Sequence, residues 1–216
     1  MNLSGHIIVA ATAWGQASAA LHMASALPDI ASIGGFRLTG SSDNADVTVG
    51  IAAHHKTDRL FHGHRWFLDL NRDIRAELVG LGVGRGPARA VAHVGVELLL
   101  DGHLLAQSAG AQMNSTAFGV LHEIHSDVAS LVVDKDQDQW LRYLNKFTDR
   151  RAPINLGDPA AVAERLWMIL SRRPRLMLDS NHINVVTRSL QAVKPHIDAT
   201  AEDLVDELAA GLKSGL

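Results

Sequence analysis

Apolar residues recur at helical spacing along most of this 216-residue chain, and stretches in which apolar and polar residues alternate are nearly absent. Alanine and leucine are abundant, whereas aromatic residues make up only 5% of the chain, and both features favour helix over strand. The length is that of one ordinary domain. The sequence therefore predicts a single all-α domain over residues 1–216, built as a bundle of about eight helices.

The composition excludes several classes of protein. The chain has no cysteine, which rules out disulfide scaffolds, thiolate zinc sites and cysteine nucleophiles. Its net charge is −3 and its pI is near 6.4, whereas a general nucleic-acid binder would carry a basic excess. No nucleic-acid partner is therefore expected.

Neither a membrane span nor a secretory leader is expected. The longest apolar run, at residues 7–13, is too short to cross a bilayer. Residues 1–6 contain no Lys or Arg, although a signal peptide would begin with a basic segment. Together with the absence of cysteine, these features predict a cytoplasmic protein without a membrane partner.

The helix predicted over residues 43–62 carries polar side chains on the face that should meet the core. On a helical wheel His54 and Asp58 lie one turn apart in the middle of an apolar stripe. Burying such groups without partners costs several kcal/mol. The pair is therefore predicted to face something that compensates its polarity.

A second helix, predicted over residues 87–105, repeats this pattern. His93 and Glu97 lie four residues apart inside its apolar arc, and Asp101 continues the column. Because two helices share the feature, their polar groups are predicted to face one another around a common partner.

A divalent metal ion between the two helices is one such partner, since bundle proteins build sites from His and carboxylate residues one turn apart. The alternative is a buried His–carboxylate hydrogen bond on each helix, with no ion. Nitrogen and oxygen ligands without thiolate suit Mn, Fe, Mg or catalytic Zn, and Mg is the least suited to a site rich in His. Three neighbouring residues, His55, His62 and His64, border the first polar face, and one of them is a candidate additional ligand or substrate contact.

Residues 171–176 form a basic turn with the sequence Ser-Arg-Arg-Pro-Arg-Leu. Two interpretations remain open. The arginines either complement the negative end of a helix dipole or clamp an anion, because a guanidinium group binds phosphate in a bidentate manner. Under the second interpretation, Arg172 and Arg173 are the candidate phosphate contacts.

These segments together resemble the acyl carrier protein phosphodiesterase family, whose members look like distant relatives of the helical His-Asp (HD) metal phosphohydrolases. The similar segments are, in chain order, Asn2 with His6, Leu27-Pro28-Asp29, Gly50-Ile51 followed by His54, Asp58 and His64, and Ser171 to Leu176. The last segment is the most specific, and the similarity extends to about residue 197. The resemblance implies an HD-like helical fold.

The chain departs from the family's pattern around the candidate ligands. The family usually has Arg at position 55 and Asp at position 62, where this chain has His55 and His62. The family also has an acidic residue at the position of His93, and it carries Asp-His where this chain has Glu97-Leu98. Ligand-type side chains are kept at these positions, but the residue types are exchanged.

The resemblance implies hydrolysis of the phosphodiester that joins a carrier-protein serine to 4′-phosphopantetheine, a step linked to fatty acid biosynthesis. The implied cofactor is a divalent metal, with Mn expected first and Fe, Mg or Zn as alternatives, because a bound metal makes water acidic enough to supply hydroxide near neutral pH. The expected metal ligands are His54, Asp58, His93 and Glu97, with His6 and Asp29 as additions, and the expected catalytic residues are Arg172, Arg173 and His64.

An acidic acyl carrier protein would be the partner, and the basic residues 172–175 together with Arg150 and Arg151 would form its docking patch. Two alternatives stay open. One is a metal phosphohydrolase of the same fold that acts on a small phosphoester or nucleotide, which the exchanged residues motivate. The other is a non-catalytic helical binding protein.

Overall fold

The regular structure of the chain is helical. A computed structural model describes residues 1–15, 18–133, 137–149 and 155–214. Its α-helices are α1 (Leu3–Trp14), α2 (Ala19–Ala24), α3 (Leu27–Gly34), α4 (Ala45–Gly63), α5 (Arg65–Gly80), α6 (Arg85–Ala106), α7 (Ser108–Gly119), α8 (His125–Ala129), α9 (Gln137–Asp149), α10 (Pro159–Leu170) and α11 (Ile183–Lys213). In the described ranges, β structure is limited to an isolated antiparallel bridge between Leu38 and Val132. The predicted all-α fold is confirmed.

The helices group into two compact units. Unit 1 comprises residues 1–60, 107–153 and 205–216, and unit 2 comprises residues 61–106 and 154–204. The core of unit 1 is a cluster of fully buried apolar side chains that includes Ile7, Met23, Leu27, Ile30, Val47, Ile51, Val128, Leu131, Trp140 and Leu144. In unit 2, α5 and α10 pack on α6, which is buried along much of its length. No helix of the described residues is both long and apolar enough to span a bilayer.

Side-chain caps and prolines explain where several helices begin. Asn44 Oδ1 accepts the backbone N–H of Asp46 at 3.0 Å, which caps α4. By residue type the sequence predicts this cap at Ser42 or Asp43, which is one or two residues too early. Pro28 lies in the first turn of α3, where its missing N–H costs no helical hydrogen bond. The Pro-Asp pair at residues 28–29 is typical of a turn between helices, but here it begins a helix, and this places Asp29 in the first turn of α3.

Two predicted boundaries differ from the structure. The sequence suggests a break between helices at 175–193 and 201–212, but α11 runs through Pro195. A proline removes one helical hydrogen bond, and in a 31-residue helix the remaining bonds and buried contacts outweigh that loss. Conversely, the sequence predicts one helix over residues 116–133, but α7 ends at Gly119 and the chain is α-helical again only briefly, in α8.

Candidate metal-binding sites

Three helices of unit 1 bring four ligand-type side chains together. His6 comes from α1, Asp29 from α3, and His54 and Asp58 from α4; we call this group the His6 cluster. His6 Nε2 lies 3.2 Å from Asp58 Oδ1 and 3.8 Å from Asp29 Oδ2. His54 Nε2 lies 3.7 Å from Asp58 Oδ2 and 4.0 Å from Asp29 Oδ1.

A close contact between helices sets the position of His54. Gly50 lies one turn before His54 on α4, and a Cβ atom at Gly50 would clash with the Leu21 carbonyl oxygen of α2. Glycine therefore lets α4 approach α2 more closely than any other residue would. With the two helices this close, His54 Nδ1 lies 2.9 Å from the Ser25 carbonyl oxygen. A carbonyl only accepts, so Nδ1 carries the proton and Nε2 presents its lone pair to the carboxylates.

The electrostatics of the His6 cluster keep His54 neutral and Asp58 ionised. Burial lowers the pKa of His54 to about 3, and the neighbouring His6 adds to the effect, so His54 is neutral at physiological pH. Burial alone would raise the pKa of Asp58, but hydrogen bonding from His6 and the Met1 ammonium group lower it below its ordinary value. The Met1 ammonium donates to Asp58 Oδ1 at 2.9 Å.

The dimensions of the His6 cluster fit a metal ion. Atoms that bind one octahedral ion at about 2.1 Å lie between about 3.0 and 4.2 Å from one another. The four imidazole–carboxylate separations, from 3.2 to 4.0 Å, fall inside that interval, and one donor atom from each of His6, His54 and Asp58 can be chosen so that all three lie within 4.8 Å of one another. A carbonyl that fixes the second ring nitrogen, as Ser25 does for His54, is the usual outer contact of a histidine ligand. The residues present therefore fit a divalent cation with a preference for mixed nitrogen and oxygen ligands.

A second cluster lies in unit 2 and consists of His62, His93 and Glu97, which we call the His62 cluster. Glu97 Oε1 lies 3.0 Å from His62 Nε2 and 3.2 Å from His93 Nε2. Burial alone would raise the pKa of Glu97, but hydrogen bonds from both imidazoles lower it, so the carboxylate is ionised at neutral pH.

The ligands expected for one centre are thus distributed over two clusters. His54 and Asp58 group with His6 and Asp29 in unit 1, whereas His93 and Glu97 group with His62 in unit 2. The additions proposed on family resemblance, His6 and Asp29, both belong to the first group. From the sequence, His62 is one of three candidates for an additional ligand or substrate contact. Its spacing of four residues from Asp58 places it on the same face of the helix as His54 and Asp58, and this spacing distinguishes it from the other two.

The three expected catalytic residues all lie in unit 2. Arg172 and Arg173 are exposed just after the end of α10, and within the described ranges neither forms an ion pair. His64 precedes α5, and its Nδ1 accepts the backbone N–H of Trp66 at 3.2 Å. This contact gives His64 a helix-capping role. Arg150 and Arg151, expected in the docking patch, lie outside the described residues.

Comparisons of this chain with protein-family models, with curated proteins and with solved structures give no match. The resemblance to the acyl carrier protein phosphodiesterases accordingly stays a prediction from sequence motifs.

Proposed function

We propose that this protein is a metal-dependent phosphodiesterase whose metal centre is the His6 cluster. One observation carries the proposal: two buried imidazoles and two carboxylates come together from three helices, and each imidazole Nε2 lies 3.2 to 4.0 Å from an oxygen of each carboxylate. An isolated His–Asp hydrogen bond needs only one residue of each kind. A set of two and two, with one imidazole already oriented by a carbonyl, is typical of a metal centre.

Each residue of the cluster has a defined task in this proposal. His54 would hold the ion through Nε2, and His6 would do so after metal binding displaces the proton that its Nε2 donates to Asp58. Asp29 and Asp58 would offset the charge of the ion. The imidazoles are buried, whereas the two carboxylate side chains are 26% and 32% exposed, so the cluster is open to water and substrate on its carboxylate side. A divalent ion bound there would supply Lewis acidity and lower the pKa of a bound water.

The substrate class comes from the sequence motifs. The segment Ser171 to Leu176 is the most specific part of the resemblance to the carrier-protein phosphodiesterases. In unit 2, Arg172 and Arg173 of this segment are exposed, and a guanidinium group binds phosphate through two parallel hydrogen bonds. We therefore propose holo-acyl carrier protein as the first substrate to test and a small phosphoester as the second.

The test combines metal analysis with hydrolysis assays. The purified protein is stripped with a chelator, reloaded with Mn²⁺, and assayed with holo-acyl carrier protein and with a panel of small phosphodiesters and nucleotides. His54→Gln and Asp58→Asn are expected to reduce kcat/KM on the order of 100-fold or more. The matched control is His122→Gln, which removes an exposed imidazole of unit 1.

The outcomes separate the alternatives. Turnover of holo-acyl carrier protein alone supports the carrier-protein activity, and turnover of small phosphoesters alone supports a phosphohydrolase with a different substrate. Absence of turnover with every added divalent ion would refute the enzyme proposal and favour a helical binding protein. Retained far-UV circular dichroism confirms that each variant folds.

A further inference from the structure

The His62 cluster combines three potential ligands in a small volume. Both imidazoles direct Nε2 at the same oxygen of Glu97, at 3.0 and 3.2 Å. Ligand atoms bound to one tetrahedral zinc-type ion at about 2.0–2.1 Å lie about 3.3 Å from one another. The two N–O separations are close to that value, and the three ligand atoms lie within 4.8 Å of one another, so the cluster has the dimensions of a site for one such ion.

The surroundings of these ligands distinguish an inner from an outer side. Glu97 is buried, with its side chain 11% exposed, whereas the side chains of His62 and His93 are 34% and 43% exposed. The ring of Phe67 stands against both imidazoles, with ring centroids 5.1 Å from each, and this contact limits their rotation. An ion held by the three residues would therefore keep its remaining coordination positions on the imidazole side.

The imidazole side of the cluster lines a groove in unit 2 with a volume of about 720 Å³. His62 and His93 line the groove, and so do the arginines Arg72, Arg75, Arg85 and Arg89. Arg72 is paired with Asp69 and Asp73. Among the described residues, Arg75, Arg85 and Arg89 form no ion pair, so three positive charges face the groove without a protein counter-ion.

We propose that His62, His93 and Glu97 form a second metal site, of the two-histidine, one-carboxylate type, and that the arginine groove brings an oxyanion to its open positions. The ligand class is a small molecule that bears a phosphate or carboxylate group. Three ligands with an open position are typical of catalytic rather than structural zinc. Guanidinium groups match the geometry of oxyanions, and a divalent ion with one carboxylate ligand keeps a net charge of +1 that attracts them further.

This site is independent of the proposed function, because it shares no ligand with the His6 cluster. The experiment uses the full-length His54→Gln/Asp58→Asn double variant, in which the His6 cluster is disabled. The metal-free protein is titrated with Co²⁺, whose visible absorption reports a tetrahedral or five-coordinate site. We expect one Co²⁺ per chain, and at least tenfold weaker binding when His93→Ala is added.

Control variants separate binding from misfolding. His62→Ala should weaken Co²⁺ binding like His93→Ala, whereas His196→Gln, which changes an exposed histidine of unit 2, should leave it unchanged. Pyrophosphate added to the Co²⁺ form should alter the visible spectrum. Arg75→Gln/Arg89→Gln should retain Co²⁺ and require at least tenfold more pyrophosphate for the same change.

Two results would overturn the proposal. If the His54→Gln/Asp58→Asn protein binds no Co²⁺, or binds it equally well after both His62 and His93 are replaced, the cluster is a hydrogen-bonded pair of histidines on a carboxylate. If Co²⁺ binds but pyrophosphate has the same effect with and without the arginines, the groove does not deliver the anion.

Discussion

The burial of His54 predicts a specific loss of stability in acid. Its pKa in the folded protein is about 3, whereas the ordinary value is 6.5. At pH 5 the unfolded chain therefore binds a proton at this residue that the folded chain does not. Stability rises with pH wherever the unfolded state holds more protons, so the contribution of His54 is complete above about pH 6.5 and is lost progressively as the pH falls toward 3.

The size of the effect follows from the two pKa values. A difference of one pKa unit corresponds to about 1.4 kcal/mol. At pH 5 the ordinary value lies 1.5 units above the solution pH and the folded value lies well below it. The metal-free protein should therefore lose about 2 kcal/mol of unfolding free energy between pH 7 and pH 5 through His54 alone.

The assay is urea unfolding followed by circular dichroism at pH 7 and pH 5, with a chelator present so that no bound metal competes with protons. Burial also lowers the pKa of His22, so the comparison is made between the wild type and His54→Gln, which share that residue. The wild type should lose about 2 kcal/mol more than the variant over this interval. His122→Gln, the exposed control, should keep the full dependence of the wild type. Equal losses in the wild type and His54→Gln would refute the claim that His54 is buried in its neutral form.

Three further predictions concern the helix contact, the basic turn and the metal. Gly50→Ala should lower the free energy of unfolding in urea by about 1–3 kcal/mol, because the new Cβ meets the backbone of α2, and it should also weaken metal binding. The control is Gly63→Ala on the same helix, where a Cβ meets nothing within 4 Å. It should change the free energy of unfolding by less than about 1 kcal/mol. Arg172→Ala should raise the activation free energy of phosphodiester hydrolysis by about 2–4 kcal/mol and leave the melting temperature nearly unchanged, whereas unchanged kcat/KM would assign the turn a structural role. Mn²⁺ at 100 times its Kd should stabilise the wild type by about 2.7 kcal/mol per bound ion, and a thermal melt of His54→Gln that responds equally would place the ion elsewhere.

Periodicity and composition are sufficient to predict the class of this fold, because an apolar stripe every three to four residues can be buried only by other helices. Helix ends are harder to predict. Asn44 caps α4 through its own side chain, and Asp43 beside it is an equally good candidate by residue type. At Pro195 the local preference for a break loses to the contacts of the long helix around it, and those contacts are not visible in the local sequence.

The candidate site shows the same division between local and tertiary information. A helical wheel identifies His54, Asp58, His93 and Glu97 as polar residues on buried faces, and the structure confirms that His54 and Glu97 are buried. The wheel is a projection along the helix axis, so it contains no information on the 1.5 Å rise per residue. It therefore cannot say which polar residues on two helices lie at the same depth.

Depth along the helix decides which residues can share an ion, because ligand bonds are only about 2 Å long. Asp58 meets His6 of α1 in unit 1, whereas His62, four residues later on the same helix, meets Glu97 of α6 in unit 2. A helix that carries a ligand-type residue every fourth position can serve several partners in turn. On such a helix, a repeated His/carboxylate pattern predicts that polar contacts exist. Which of these residues belong to the same metal centre depends on where each neighbouring helix crosses the helix that carries them.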